Sequence, residues 1–487
     1  MSTLQDFKKK QNEAWETLKE AVGGAAGDEL VSAMQDLYSI YDEKIIDWFA
    51  GLYDVKRGAY YYSSSARDNE EVVHKDKTYK LLPDIESTHQ ALRFVNGSGL
   101  VAERGGSYAT ALPEWMRNDI LKFAMSLQDE NGFFYHEQWG KEYTDRLLSR
   151  RGRDLMWSVD IIRTLGREPT YDTPSGAKGS GLDYYGNPVK KSAEGSSPEA
   201  KPESAPATKT AYSPDFENKE TLIDYLERLK ESTKDGLQFY AIGNTLAAQA
   251  SQISKREKDL IAEGKEAGLK KTLIDWFNKN QNTENGLWND KSDYLGVNGL
   301  LKISGVYSAC GAEIPYAEKG AVAAINAISS DEKMHAAVDL YNTWFAISCI
   351  LGNLRKYGKE TMVDGELLDG NARADRIIEN LRKIAPPAIR RTKEKILDFK
   401  QSDGGFSYCM SNPCPTSQGM PVCIPGLPES DVNATIIGSH ELVGYIYSAL
   451  GLSKYKVAMF GDCHFERYIS IIENNAKNVN NSMKRGN

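Results

Sequence analysis

One short phrase opens an apolar-periodic run near each end of this chain. Pro83-Asp84-Ile85-Glu86-Ser87-Thr88 opens the first, and Ser430-Asp431-Val432-Asn433-Ala434-Thr435 opens the second. A second element recurs between and beside them, a Gln followed by a Gly-aromatic turn. It reads Gln128-Asp129-Glu130-Asn131-Gly132-Phe133, then Gln281 through Gly286-Leu287-Trp288, then Gln401 through Gly405-Phe406. A looser version runs from Asp54 to Tyr60. Two elements repeated at long range imply a fold assembled from copies of one unit.

The surrounding pattern says what the unit is. Leu30 to Phe49, Trp115 to Leu127, Arg153 to Leu165, Leu222 to Leu229, Leu237 to Ile253, Gly320 to Ile328, Met334 to Leu354 and Thr435 to Leu450 carry apolar residues at spacings of three and four. That is the signature of helices with one buried face. Each Gly-aromatic turn follows such a run. The Gly takes a backbone conformation closed to most residues, and the aromatic folds back onto the helix it ends. The next helix starts on a capping residue. Asp84, Asp339 and Asp431 are each followed four residues later by Thr, and an Asp there satisfies free backbone N–H groups. Repeated outer helix, turn and inner helix predict an all-α fold, a single α/α toroid of about six helix hairpins closed in a ring. The inner helix starts gather at one mouth. From about 171 to 214 the chain is rich in Ser, Pro, Ala, Gly and Lys, which reads as a long mobile insertion.

The turn at Gln128 resembles the repeat motif of the terpenoid cyclase and protein prenyltransferase superfamily. The phrase from Pro83 to Thr88 is similar to the Asp-x-Asp-Asp-Thr-Ala motif of class II terpene cyclases. The resemblance implies the α/α toroid, which also hosts polysaccharide lyases and glycosidases, so it narrows activity little. In the cyclases the middle Asp is the acid that protonates an alkene. Glu86 stands at that position, Ser87 replaces the next Asp, and His89 replaces the Ala.

Composition excludes some classes. No apolar stretch reaches the roughly 18 residues a membrane span needs. Residues 1–20 are polar, with Leu4, Phe7, Trp15 and Leu18 as sparse apolar points; they read as a surface helix and not a signal segment. A cytoplasmic location follows as an expectation. The net charge of −8 argues against nucleic acid. Cys310 and Cys349 sit in apolar runs as buried thiols. Cys409, Cys414 and Cys423 share one loop, 407–431, but their spacings match no zinc framework; its prolines make it a stiff cover for the mouth. No cofactor or metal is expected, and oligomeric state is open.

The expected site is polar and aromatic. Glu86 and its repeat counterpart Asn433 face the mouth, with Asp84 and Asp431 as caps or carboxylate partners. Tyr60, Tyr61 and Tyr62 precede Arg67, which can grip a sugar carboxylate. Tyr135, His136, Glu137 and Trp139 follow a fold-defining turn, ahead of Arg150, Arg151 and Arg153, with Arg153 the best placed of the three. Asn298 and Lys302 share a helical face, with Tyr307 beyond, and Asn342 and Tyr408 complete the set. These residue types suit a glycan. The expectation is an oligosaccharide-active enzyme, foremost a lyase that cleaves uronate-containing glycans by β-elimination. Glu86, His136, Tyr61, His89 and Asp431 are its acid–base candidates, and Arg67, Arg153 or Asn298 neutralise the uronate. Alternatives are a glycoside hydrolase pairing Glu86 with Glu137 or Asp431, a terpene cyclase, and a non-catalytic glycan binder.

Overall fold

The Gly-aromatic turn is one hydrogen-bonded construction used repeatedly. In the first copy, the Asp129 N–H donates to the Phe133 carbonyl at 2.9 Å and the Tyr135 N–H to that of Leu127 at 2.8 Å. In the last, Gln401 and Ser407 donate to Gly405 and Phe399, each at 2.9 Å. In the middle copy Asn282 donates to Leu287 at 2.8 Å. The glutamines act outward: Gln128 exchanges two 3.0 Å bonds with the Tyr171 backbone, and Gln281 Nε2 donates to the Gly286 and Pro315 carbonyls. Gly132 and Gly286 have positive φ as expected; in the last copy it is Gly404, one residue before the expected Gly405, that does.

Two of the Asp-to-Thr pairs clip a turn to the helix that follows. Thr88 Oγ1 accepts from the Tyr60 N–H at 3.0 Å, and the Asp84 N–H donates to the Tyr60 carbonyl at 3.2 Å. Thr435 Oγ1 accepts from the Phe406 N–H at 3.0 Å, and Asp431 donates to the Phe406 carbonyl at 2.9 Å. Asp84 and Asp431 are N-caps. Asp339 is not: it lies one turn inside its helix and reaches back to the N–H groups of His335 and Ala336.

The computed structural model describes residues 3–69, 71–189, 212–233 and 237–485. The helices are α1 (Leu4–Val22), α2 (Gly24–Tyr38), α3 (Lys44–Gly51), α4 (Ser64–Asp68), α5 (Ile85–Gly97), α6 (Tyr108–Ala111), α7 (Glu114–Ser126), α8 (Lys141–Arg146), α9 (Leu148–Thr164), α10 (Lys219–Ser232), α11 (Gln238–Ala262), α12 (Leu269–Asn280), α13 (Tyr294–Cys310), α14 (Ala317–Ser329), α15 (Ala337–Tyr357), α16 (Gly370–Ile396), α17 (Val432–Ile436), α18 (Leu442–Ala449) and α19 (Asp462–Arg485). The strands among the described residues form short antiparallel hairpins, of which Thr416–Ser417 with Met420–Pro421 matters below. The chain is mostly helical, as the apolar spacing predicts. Helix α11 packs on α13, α13 on α15, α15 on α18, α17 on α5, and α5 on α9. Outside them α14 packs on α16, α16 on α2, and α3 on α19.

Four features differ from the sequence reading. The run Leu30 to Phe49 is two helices, broken at Ser39–Glu43. Helix α16 escapes periodicity because Pro386 and Pro387 interrupt it, yet it runs through both. Helix α1 buries Phe7, Trp15 and Leu18, so its sparse apolar points form a packing face. In the expected insertion, 171–189 is held in place: Tyr171 pairs with Gln128, and Thr173 is buried. Residues 190–211 lie outside the described residues.

Candidate functional site

The start of α9 delivers Arg150 into the junction of α5 and α17. Its guanidinium is fully buried and meets three carboxylates: Asp154 Oδ1 at 2.8 Å, Glu86 Oε2 at 2.5 Å and Asp84 Oδ1 at 3.2 Å. The Trp139 ring lies 4.5 Å away as a cation–π partner. Glu86 also accepts from Ser417 Oγ at 2.5 Å and Asn433 Nδ2 at 3.0 Å. The two repeat counterparts, Glu86 and Asn433, are therefore in direct contact. A buried ion can stay charged only where fixed partners replace its water. Here burial opposes the Arg150 charge, and the three carboxylates restore it.

Glu86 is 1% exposed, with both oxygens engaged. That placement makes it the hub joining α5, α9, α17 and the Thr416–Pro421 hairpin. Next to it, burial pushes Asp154 up to about 7 against the pull of Arg150. Its free Oδ2 lies 3.9 Å from His136 Nε2, which also lacks a partner. Burial, then Arg150, drives His136 well below its ordinary range, so its ring is neutral. The 407–431 loop does cover this cluster: Pro421 and Gly419 carbonyls accept from Trp139 Nε1 at 3.1 Å and Tyr143 Oη at 2.9 Å. Among the described residues no group of three or more His, Cys, Asp and Glu is placed to hold a metal.

One helical turn further along, the facing sides of α5, α9, α13, α15 and α18 carry a second group. This one reaches solvent. On α5, His89 and Arg93 continue the stripe begun by Glu86. On α9, Arg153, Trp157 and Asp160 do the same. His89 Nε2 lies 3.0 Å from Asp160 Oδ2, and its ring is 5.9 Å from Trp157. The Asp160 side chain is 58% exposed. The hydrogen bond from His89, with Arg93 beyond, lowers the Asp160 pKa. Arg93 pairs with Glu441, whose carboxyl is pushed up by burial against that pairing. Tyr341 hydrogen-bonds Glu441, and burial keeps its phenol protonated. Tyr445 stacks on Phe345 at 4.3 Å and meets Tyr341 edge-on at 5.1 Å.

Glu441 owes its position to a break in helical register. Between α17 and α18 the chain makes a π-turn over Ile437–Glu441, with Ser439 at φ −121°, ψ −112°. Such turns insert one residue and free carbonyls that need other donors. Tyr41 Oη supplies one to Gly438 at 2.9 Å, and Lys456 Nζ one to His440 at 3.3 Å.

Arg153 and Lys302 complete the group. Neither has an ion-pair or hydrogen-bond partner among the described residues. They are close enough that Arg153 adds to the burial lowering the Lys302 pKa. On the same α13 face Asn298 donates to Asp339 at 3.4 Å.

Other sequence candidates lie elsewhere. Tyr60 is fully buried, its phenol against Tyr468, and Tyr307 is a core residue bonded to Asn278 at 2.6 Å. Both fill the core, where their rings gain more from burial than at a surface subsite. Tyr61 donates to Asp54 at 3.0 Å. Arg67 is taken by Asp68 at 2.6 Å and the Gly51 carbonyl at 3.0 Å, so it grips no ligand here. Tyr62 is buried, and the backbone N–H of Tyr408 donates at 2.8 Å to Asp431, a buried N-cap whose carboxyl burial raises to about 7. Burial moves Tyr408 up to about 12. Tyr135 donates to Asp145 at 2.8 Å, and Glu137 pairs with Arg57 at 3.1 Å. Tyr135, His136 and Glu137 line a 320 Å³ cleft with Arg57 and Lys122, and no residue of the α5–α9 stripe reaches it. Asn342 is half-buried on α15. Sequence reasoning named Arg150 but preferred Arg153, and it passed over Arg93, Asp160, Glu441 and Ser417. For Arg150 the signal was its four-residue spacing from Asp154; for Arg93 it was the step from Glu86 through His89.

Comparison of the chain with family models, with curated proteins and with solved structures found no match.

Proposed function

We propose that the helix pairs close into an α/α toroid, and that the chain is a carbohydrate-active enzyme cleaving uronate-containing oligosaccharides by β-elimination. The electrostatic influence of Arg153 on Lys302 supports closure, because it brings α9, one end of the helix series, near α13, which packs against α11 at the other end. The same pair carries the functional reading. Two neighbouring cations without a counter-ion among the described residues, beside a His–Asp pair and solvent-reachable aromatics, are a receptor for an anionic sugar.

The chemistry follows from placement. A uronate carboxylate seated on Arg153 and Lys302 stabilises the charge that develops when C5 loses its proton. The His89 ring meets Asp160 through Nε2 and its Nδ1 is shut off from solvent, so Nε2 is the atom that takes the C5 proton once the substrate displaces Asp160. The C4=C5 double bond forms as the C4–O bond breaks. Tyr341, kept protonated by burial, gives its proton to the departing oxygen. Glu86 and Arg150 set the spacing of α5 and α9 and touch no substrate.

A second reading rests on a separate observation. Glu441 is pushed up and Asp160 pulled down, the divergence that divides acid from base in a glycoside hydrolase. Incubation with uronate-containing and neutral oligosaccharides separates the readings. New ultraviolet absorbance of an unsaturated uronate, lost in His89→Ala, supports elimination. Reducing ends without absorbance, lost in Glu441→Gln, support hydrolysis. Binding without either product supports a glycan binder, and no binding to any glycan overturns the carbohydrate reading. No described helix is long and apolar enough to cross a membrane, and the proposed substrate is a free oligosaccharide met in the cytoplasm.

A further inference from the structure

The hairpin that roofs the Glu86–Arg150 cluster is framed by two cysteines. Its strands pair Ser417 with Met420 and Thr416 with Pro421 across a turn at Gln418 and Gly419, both at positive φ. Two residues at positive φ between antiparallel strands make the tight turn that fixes register. The ladder continues one step outward, where the Val422 N–H donates to the Pro415 carbonyl at 3.1 Å. Carried one step further, the same register sets Cys414 opposite Cys423.

Register decides how close they stand. Pairs in an antiparallel ladder alternate between hydrogen-bonded and non-hydrogen-bonded sites, and Pro415–Val422 is a bonded one. Cys414 and Cys423 thus hold the non-bonded site, where Cα atoms approach to about 4.5 Å. A disulfide spans Cα separations of roughly 4.4–6.8 Å. The Cys423 Sγ lies 3.6 Å from the Cys414 backbone carbonyl oxygen. Both are free thiols; Cys414 is half-buried and Cys423 buried.

We propose that Cys414 and Cys423 form a redox-closed clamp on this roof. The oxidant is a low-molecular-weight disulfide such as oxidised glutathione. The Cys414 thiolate attacks one of its sulfurs, the disulfide breaks, and one small thiolate leaves. The Cys423 thiolate then attacks the Cys414 sulfur and displaces the second. Two electrons pass from the protein pair to the small disulfide, and the two cysteine protons go to the two departing thiolates. Cys414 is the entry point because it is the more accessible. Cys423, whose pKa burial raises, resolves the mixed disulfide from within.

Closure fixes the segment that touches the buried cluster from above. Between the cysteines lie Ser417, which donates to Glu86, Gln418, which accepts from Ser149 at 2.9 Å, and Pro421, which accepts from Trp139. The clamp holds α5, α9 and the roof in their present arrangement whatever reaction the site performs.

The test treats native full-length protein with oxidised glutathione, blocks remaining thiols and cleaves at methionine with cyanogen bromide. Met410, Met420 and Met459 put Cys409, Cys414 and Cys423 on three different fragments. The expected result is a fall from six free thiols to four, with fragment 411–420 joined to fragment 421–459 and released by reductant. Cys409→Ser should give the same link; Cys414→Ser should give none. A glutathione adduct on Cys414 without an internal link, a link through Cys409, or six unchanged thiols would each overturn the proposal. Intact near-ultraviolet circular dichroism of each variant shows that a lost link is not lost folding.

Discussion

Arg150 sets the energetic stakes at the scale of single residues. It is the sole cation in contact with Asp84, Glu86 and Asp154 among the described residues, and removing one partner from a buried ion cluster strands the others. Arg150→Met should destabilise the protein by about 3–5 kcal/mol, read as a shift of the urea midpoint. The neighbouring Asp154 makes stability depend on pH. Its folded pKa, about 7, lies above the ordinary 3.8 of an exposed Asp. Between those values the folded chain keeps a proton that the unfolded chain has released. Unfolding therefore releases a proton, and this residue's contribution falls as pH rises through the window, levelling off above about 7. Asp154→Asn keeps an acceptor for Arg150 Nε and offers an N–H to His136. Its stability should change less between pH 5 and pH 8 than the wild type's, as urea unfolding at the two pH values will show. An equal slope would mean Asp154 ionises normally in the fold.

At the scale of elements, the repeated turn is where a glycine is required by space as well as by φ. Gly132 has φ +84°, and a Cβ there would meet the Asp172 carbonyl oxygen at 2.2 Å. Gly106 has φ +71° with nothing within 4 Å. Gly132→Ala should therefore cost more than about 2 kcal/mol, whereas Gly106→Ala should cost only the left-handed penalty of about 1 kcal/mol. Comparable losses from the two would refute a packing role for the turn. The Thr clip gives a second test. Thr435→Val leaves the buried Phe406 N–H without its acceptor, and about 1–3 kcal/mol should be lost in thermal or urea unfolding. The π-turn works on the same scale: the register slip ahead of α18 is what brings Glu441 to Arg93.

Taken as a whole molecule, the chain separates a dry cluster that holds helices together from a wet one that can meet a ligand. Two cations of the second, Arg153 and Lys302, have no counter-ion among the described residues, so their removal should change binding and leave folding alone. Arg153→Ala and Lys302→Met should keep the wild-type melting temperature. Each should raise KM for an acidic oligosaccharide about tenfold or more, with a smaller change in kcat, because charge-assisted contacts to a carboxylate are lost. The wild-type kcat/KM should fall with added salt, and the double variant should lose that dependence. Unchanged KM in both variants would remove the anionic subsite.

Local chemistry was enough to read the helical character, the Gly-aromatic turns and the caps at Asp84 and Asp431, because spacing, φ preference and capping act within a few residues. That Glu86 and Asn433 face one place was expected from the repeat, but an open mouth was expected there, and Glu86 is instead buried in contact with Asn433. Tertiary structure alone decided the rest. Nothing local marks Arg150 as buried and Arg67 as taken by its neighbour, because burial depends on which helices arrive from distant sequence. Periodicity could not follow α16 through two prolines, nor foresee that a π-turn would rotate Glu441 toward Arg93. A side chain's neighbours along the chain determine its conformation; its charge partners, its exposure and hence its chemistry depend on what packs across from it.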